Sequence, residues 1–551
     1  MYILRLLQSG SPQAYRGLFL VTCLSGLSNV VLIALINHVA ERAEQQDPVG
    51  LQLLLVYLCT FAFYYVADRA SLRQANLFVQ QRLSALRLRV VGKIRRADLR
   101  AVENMGHGEL YATVAQEINH LSQSFPLLVN AAQGVFLLAF CLLYIATLSL
   151  ISFLVMAAFT VIGLYIFWLR REVLADAMAE VHVCESAMLE SVSHFTDGFQ
   201  EIRLNADKND SLFRHFTKVL DRLETEVIGV GGKWVVLLQF SNAFLYALVG
   251  LVVFVLPMFF EGYTDAIYKI VAVSIFCVGP VTGLTSAAPI FSKADVGLGH
   301  VFRLERKLDN RLAGGTSVVT VPEESRFRGF RTIDFEGVCF TYRGPGGTPT
   351  FTSGPWDFAL RHSEIVFLTG GNGSGKSTAM KLICGLYTPD AGRILVDGVA
   401  VESGTRQEYR ELFAGIFPDF HLFDRLHGLE DVDPDTVTAL IARMELSDKV
   451  RFENGRFSSV DLSTGQRKRL ALIAALLEDR EVYLFDEWAA DQDAHFRDVF
   501  YGELLPELKR RGKAVLAVTH DDRYWGRCDR RLHLESGTLH ELDRNDPRGR
   551  I

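Results

Sequence analysis

The 551-residue chain has eight cysteines, Cys23, Cys59, Cys141, Cys184, Cys277, Cys339, Cys384 and Cys528, and each stands alone. With no CxxC pair, zinc-ribbon and dithiol redox readings have no support, and the cysteines read as small apolar residues of a reducing compartment. Positive charge is not in excess either. Lys and Arg total 57 against 63 Asp and Glu, giving a net charge of −6 and a pI of about 6.2, which argues against nucleic acid as a partner. The N-terminus does not read as a cleavable signal peptide either. The first apolar stretch, Leu18 to Ala40, is too long for a signal core and no small-residue cleavage site follows it, so it reads as a retained membrane span. The apolar runs lack multiple acids, which weighs against proton-driven transport.

What the chain does have is apolar length. Hydrophobic residues make up 49% of it and mean hydropathy is +0.19, but the two halves differ. Six stretches in the first 300 residues approach the roughly 20 apolar residues a bilayer demands: Gly17–Val39, Leu51–Ala67, Leu127–Thr147, Leu150–Leu169, Trp234–Phe259 and Ala266–Ile290, the last containing Pro280 and Pro289. The connection after the second stretch is rich in Arg and Lys (Arg69, Arg73, Arg82, Arg87, Arg89, Lys93, Arg95, Arg96, Arg100), and the one after the fourth begins Arg170-Arg171. The short connections Glu41–Asp47 and Glu261–Asp265 are mostly acidic. The positive-inside rule puts the basic connections and both termini in the cytoplasm. Segments Leu72–Leu99 and Glu172–Thr225 have few helix breakers and read as helical extensions of the spans, with bends near Glu103–Gly108 and Asp197–Glu201. Asn29, Asn37, His38, Asn130, Gln133, Gln239 and Asn242 are polar residues within spans. Each is a candidate for cargo contact or for hydrogen bonding between helices. The division is a transmembrane domain over 1–308, a Gly/Pro-bearing linker over 309–331 and a soluble α/β domain over 332–551.

The soluble half carries the chemistry. Strand Ile365–Thr369 leads into Gly370-Gly-Asn372-Gly373-Ser374-Gly375-Lys376-Ser377 and a helix from Thr378, the strand–loop–helix context of a phosphate-binding loop. Its glycines let backbone N–H groups turn towards phosphates, and the helix N-terminus adds positive partial charge. Lys376 is placed to reach the β/γ phosphates and the Ser377 hydroxyl to ligate Mg²⁺, so ATP and Mg²⁺ are the expected cofactors. The apolar run Val482–Phe485 delivers Asp486 towards the metal and Glu487 as a general base for the attacking water. Taken alone, the run could be a strand ending at the surface. The strand Val515–Thr519 presents His520 towards the γ-phosphate, although a lone histidine is more often structural. Tyr342, ending the strand from Thr332, is placed to stack on adenine or is an ordinary strand aromatic.

Between these elements lies Leu462-Ser463-Thr464-Gly465-Gln466. This order of motifs resembles an ATP-binding-cassette (ABC) exporter half-transporter: six membrane helices fused to one cytosolic P-loop nucleotide-binding domain. The resemblance implies that Ser463, Gly465 and Gln466 of one copy serve ATP held by Lys376 of another, and that Asp493 crosses the dimer interface, so the expected partner is a second copy of the chain. Two departures narrow it. Pro418 stands where most exporters have Gln, leaving Asp419 to take a metal-side coupling role, and the stretch from Leu422 to the signature is short. Phe417-Pro-Asp-Phe-His-Leu-Phe-Asp-Arg425 and Asp197-Gly-Phe-Gln-Glu-Ile-Arg-Leu-Asn205 resemble cyclic-peptide and siderophore exporters of the pyoverdine type. That implies a bacterial inner membrane and a peptide siderophore or precursor as cargo. A lipid or lipopeptide flippase and an ATP-gated channel or sensor are the alternatives.

Overall fold

The computed structural model describes residues 2–546 except 9–11, 47–49, 104, 106–109, 111–112, 115–117, 260–266, 313–324, 345–346 and 544–545. The acidic connection Glu261–Asp265, most of the bend Glu103–Gly108 and the middle of the 309–331 linker lie outside the described residues. The chain divides into two compact units, Met1–Gly92 with His107–Arg306, and Lys93–Gly106 with Lys307–Ile551. The segment Lys93–Gly106 thus groups with the soluble domain, although its position in the sequence lies within 1–308.

The first unit is helical. Pro12–Glu44, Leu51–Ile94, Ile118–Leu148, Leu150–Asp197, Ala206–Gly250 and Ile267–Leu312 are its long helices. Among the described residues, five helices are long and apolar enough to cross a membrane: Arg16–Ala43, Leu51–Ile94, Ile118–Leu148, Ala206–Val255 and Ile267–Asp309. The fourth expected span, Leu150–Leu169, opens the helix Leu150–Asp197, and its described apolar part begins with Leu150–Gly163. At 1.5 Å per residue this 48-residue helix is about 72 Å long, more than twice a hydrocarbon core, so the expected extensions past the bilayer are continuous with the spans. Pro280 and Pro289 sit inside an unbroken helix. A single residue, Ser149, separates the helices Ile118–Leu148 and Leu150–Asp197, and its hydroxyl caps the second by accepting from the Ser152 N–H. The bend near Asp197 falls at Gly198, after which Asn205 caps Ala206–Gly250.

Ile33, Cys141, Ile145, Met156, Val252, Ile270 and Cys277 pack into the buried centre of this unit, while Leu54, Leu58, Phe61 and Tyr65 stay exposed on one helix, as a lipid-facing surface would. Three of the polar candidates bond between helices. The Asn37 amide donates to the Lys269 carbonyl at 3.3 Å, Gln133 Nε2 donates to Asp68 at 3.0 Å, and Thr282 donates to Asn242 at 3.4 Å.

The second unit is built on a six-stranded sheet in the order Thr538–Leu542, Arg530–Glu535, Ile365–Thr369, Ala514–Val518, Val482–Asp486 and Phe413–Ile416. All neighbours are parallel except the first pair. Its central strands are buried along their whole length, as parallel strands covered on both faces must be. Side chains alternate between two cores. Phe367, Tyr483, Phe485, Val515 and Ala517 face one way, and Val366, Leu368, Leu484, Leu516 and Val518 the other. An antiparallel sheet of Pro349–Arg361, Thr332–Arg343, Ala391–Val396 and Val399–Ala400 lies beside it in the chain order 2-1-3-4.

The segment Lys93–Gly106 is held to this unit at several points. Lys93 pairs with Asp309 at 2.8 Å and Asp98 with Arg410 at 3.7 Å. Leu99 packs against the second core. The Arg100 guanidinium donates to the Thr341 carbonyl and lies 4.9 Å from the Phe340 ring centre.

Candidate functional site

Parallel strands end level with one another, so whatever follows them collects at one edge of the sheet, the usual place for ligands in open α/β folds. Val518 pairs with both Leu368 and Asp486, so the phosphate loop, the Asp486-Glu487 pair and His520 all leave from that edge.

The loop Gly370–Gly375 has positive φ at Gly370, Gly373 and Gly375. At Gly370 a Cβ would lie 2.2 Å from the Leu534 carbonyl oxygen and 2.8 Å from Ser374 Oγ, so only glycine fits. Helix Lys376–Ile383 follows directly, starting two residues before the expected Thr378. Lys376 is buried, and its ammonium donates to the Gly370 and Gly371 carbonyls at 3.0 and 3.1 Å. Burial pulls its pKa below the ordinary lysine value, partly countered by Glu487 and Asp486. Asn372 is exposed at the tip, and Ser374 is buried with a hydroxyl that has no hydrogen-bond partner among the described residues.

Asp486 is buried, and burial raises its carboxyl pKa, opposed by the neighbouring Ser377 hydroxyl and the Lys376 charge. Its Oδ2 has no hydrogen-bond partner among the described residues. An orphaned buried carboxylate oxygen beside a serine hydroxyl is a set of hard oxygen donors suited to Mg²⁺, so Ser377 and Asp486 are the residues that would hold it. Asp419 lies on the exposed turn after Phe413–Ile416, where its charge favours the protonated Lys381 ammonium.

Glu487 adopts a left-handed conformation, φ 51°, which is costly for a residue with a side chain and persists only where neighbours hold it. Two do. Lys468 donates to the Glu487 carbonyl at 2.8 Å, and the Trp488 indole donates to the Lys468 carbonyl at 2.9 Å. The result directs Glu487 Oε1 to His520 Nε2 at 3.0 Å. A carboxylate and an imidazole at hydrogen-bond distance can orient a water and accept its proton.

Ser463 caps the helix Thr464–Glu478 in a capping box with Gln466. Ser463 and Gly465 make no bond to the phosphate loop among the described residues; their partners are local or on the segment after Glu487. Gln492 Nε2 donates to the Gly465 carbonyl at 3.0 Å, Arg469 binds Gln492 at 2.9 Å and Asp493 at 2.6 Å, and Lys468 pairs with Asp491 at 2.6 Å. Asp493 also caps the helix Ala494–Val499. Lys468, Arg469 and Gln492 were not singled out from the sequence. The first two sit in the polar run Gln466-Arg-Lys-Arg469, which gives no sequence sign of burial, whereas Lys468 and Arg469 are both buried here and so require partners.

Tyr342 lies at the end of Thr332–Arg343, and its ring meets Phe340 edge-on at 5.1 Å. Its hydroxyl bonds Thr378 at 3.3 Å and Tyr387 at 3.2 Å.

Residues 354–490 match the family profile described as ABC transporter. The chain is 31% identical to the ATP-binding protein SyrD of Pseudomonas syringae pv. syringae, over 98% of this chain and 95% of that protein. It is 33% identical to the Nod factor export ATP-binding protein I of Rhizobium etli over 37% of this chain and 66% of that protein. A solved bacterial Atm1-family ABC exporter with ATP bound shares the fold with a TM-score of 0.74, over 97% of this chain and 96% of that one, at 17% identity.

Proposed function

The chain belongs to the ABC transporters as an exporter half-transporter, and from that premise we propose that two copies pair to move a peptide siderophore or its precursor out through a bacterial inner membrane. ATP hydrolysis coupled to transport is the activity of the family. The observation that carries its application here is the Glu487–His520 contact at 3.0 Å, at the sheet edge that also presents Lys376, Ser377 and Asp486. Mg²⁺ bound at Ser377 and Asp486 would neutralise charge on the β/γ phosphates. Lys376 binds the same phosphates, Glu487 takes the proton of the attacking water, and His520 holds the Glu487 carboxylate in position. Each chain has one phosphate loop and one signature, and Ser463 is exposed, which suits a signature that completes a partner's site.

The peptide cargo is supported by the two stretches 417–425 and 197–205, and the outward direction by the export function in the name of the Rhizobium relative. Reconstitution in liposomes tests it. Cyclic peptides and peptide siderophores are expected to stimulate the ATPase and to accumulate on the side opposite the nucleotide domain. Stimulation by phospholipid alone, with lipid transfer between leaflets, would replace this reading by a flippase. Cargo movement that survives Glu487→Gln would replace it by a gate that does not need hydrolysis.

A further inference from the structure

Glu103, in the segment Lys93–Gly106, has a carboxylate bound on both oxygens. Oε1 accepts from the Lys381 ammonium at 2.7 Å, and Oε2 accepts from the Tyr387 hydroxyl at 2.5 Å. The Tyr387 oxygen accepts from Tyr342 at 3.2 Å, and the Tyr342 oxygen is 3.3 Å from the Thr378 hydroxyl. Four groups therefore form one chain, from the Lys93–Gly106 segment to the first turn of the phosphate-loop helix.

The direction of this chain is fixed at one end. A carboxylate only accepts, so Tyr387 must donate to it. Each hydroxyl has a single proton, so Tyr342 then donates to Tyr387, and Thr378 is left to donate to Tyr342. Bonds aligned in one sense reinforce one another. Lys381 holds the opposite carboxylate oxygen and lies 5.5 Å from the Tyr387 ring centre, so the anchor cannot rotate without losing a charged partner.

We propose that Glu103 is a positioning residue for ATP binding: by anchoring the Tyr387–Tyr342–Thr378 chain it orients the Tyr342 ring towards the nucleotide, with Thr378 closing the chain at the phosphate-loop helix. The inference rests on the reading that Tyr342 meets ATP. Its consequence is that the Lys93–Gly106 segment acts on the affinity for ATP and leaves the hydrolytic pair Glu487–His520 untouched. In Glu103→Gln, Lys381 retains the amide oxygen, which turns the amide N–H towards Tyr387. Tyr387 can then no longer donate at that end, and the order of the chain is lost.

The test is steady-state ATPase of the full-length protein in lipid nanodiscs, with KM for ATP and kcat read separately and thermal melting measured for each variant. Glu103→Gln and Tyr387→Phe are each expected to raise KM about fivefold, the factor one hydrogen bond of ordinary net strength supplies, with kcat and melting unchanged. The double variant is expected to match either single one, and Glu103→Asp to fall between the native protein and Glu103→Gln. Additive effects, or a fall in kcat at constant KM, would overturn the proposal. Tyr342→Ala separates it from its premise. If Tyr342→Ala raises KM while Glu103→Gln and Tyr387→Phe do not, the chain has no positioning role although the nucleotide reading stands. If Tyr342→Ala leaves KM unchanged, the reading of Tyr342 fails and the proposal falls with it.

Discussion

At Gly465 a Cβ would lie 2.6 Å from the Asp491 carbonyl oxygen, closer than any real contact allows. Gly465→Ala must push the signature helix away from the segment 491–493, and a destabilisation of about 1–3 kcal/mol is expected for such overpacking, seen as a lower melting temperature with reduced ATPase. Glu487→Gln keeps the shape of the side chain but removes the base. A fall in kcat of about 10²–10⁴-fold with ATP binding retained is the expected outcome, measured by phosphate release and by nucleotide retention on the purified protein. Residues of this kind were legible in the sequence because their chemistry is local: Lys376, Ser377, Asp486, Glu487 and His520 each follow a recognisable buried strand within a few positions. Lys468 and Tyr387 were not, because what defines them is a partner remote in sequence. Lys468 acts on a carbonyl 19 residues away, and Tyr387 on a carboxylate 284 residues away.

The helix Thr464–Glu478 is an element with two duties. Its N-terminus exposes Ser463, while one turn later the buried Lys468 and Arg469 grip the backbone of Glu487 and the side chains of Asp491, Gln492 and Asp493. A shift of that helix must therefore move Glu487, the proposed base. Lys468→Met keeps the apolar stem and deletes the ammonium. It is expected to lower kcat about 10–100-fold, the scale of small misplacements of a catalytic group, with little change in KM for ATP, and a steady-state titration separates the two. A second pair ties elements at the surface. Arg443, ending Pro434–Arg443, binds Glu507 on Leu505–Arg510 and holds its carboxyl pKa below the ordinary glutamate value. A depressed carboxylate pKa stabilises the fold above the unfolded value and loses that effect as pH falls through the folded one. The melting difference between the native protein and Arg443→Met should be constant down to about pH 5 and shrink below it, small throughout because both groups are partly exposed. Element boundaries were read well where burial is two-sided, as at Ile365–Thr369, and less well in the helical half. There the apolar run marks only the part of a helix that meets lipid and gives no sign of how far the helix continues in water. The same ambiguity left the Lys93–Gly106 segment assigned by chain order, whereas Leu99, Arg100 and Glu103 attach it to the soluble unit.

For the whole molecule, the proposed service of each signature to a partner's phosphate loop has a consequence that single-chain variants cannot reveal. In a mixed dimer of one Ser463→Arg chain and one Lys376→Ala chain, both lesions fall on one composite site and the other stays intact. Retained ATP binding and partial hydrolysis are expected in the mixed dimer, with neither parent homodimer active. Loss of binding at both sites would show that each chain uses its own signature. The helical unit sets the mechanical scale of whatever the nucleotide sites drive. The helix Leu150–Asp197 runs 48 residues without a break and ends at Gly198. A stiff rod of about 72 Å that tilts by about 5° about one end carries its other end through about 6 Å, roughly the width of one helical turn. Such a helix is a lever, and the ratio of its arms on either side of the fulcrum, rather than the size of any rearrangement around the nucleotide, determines how wide a passage one catalytic cycle can open.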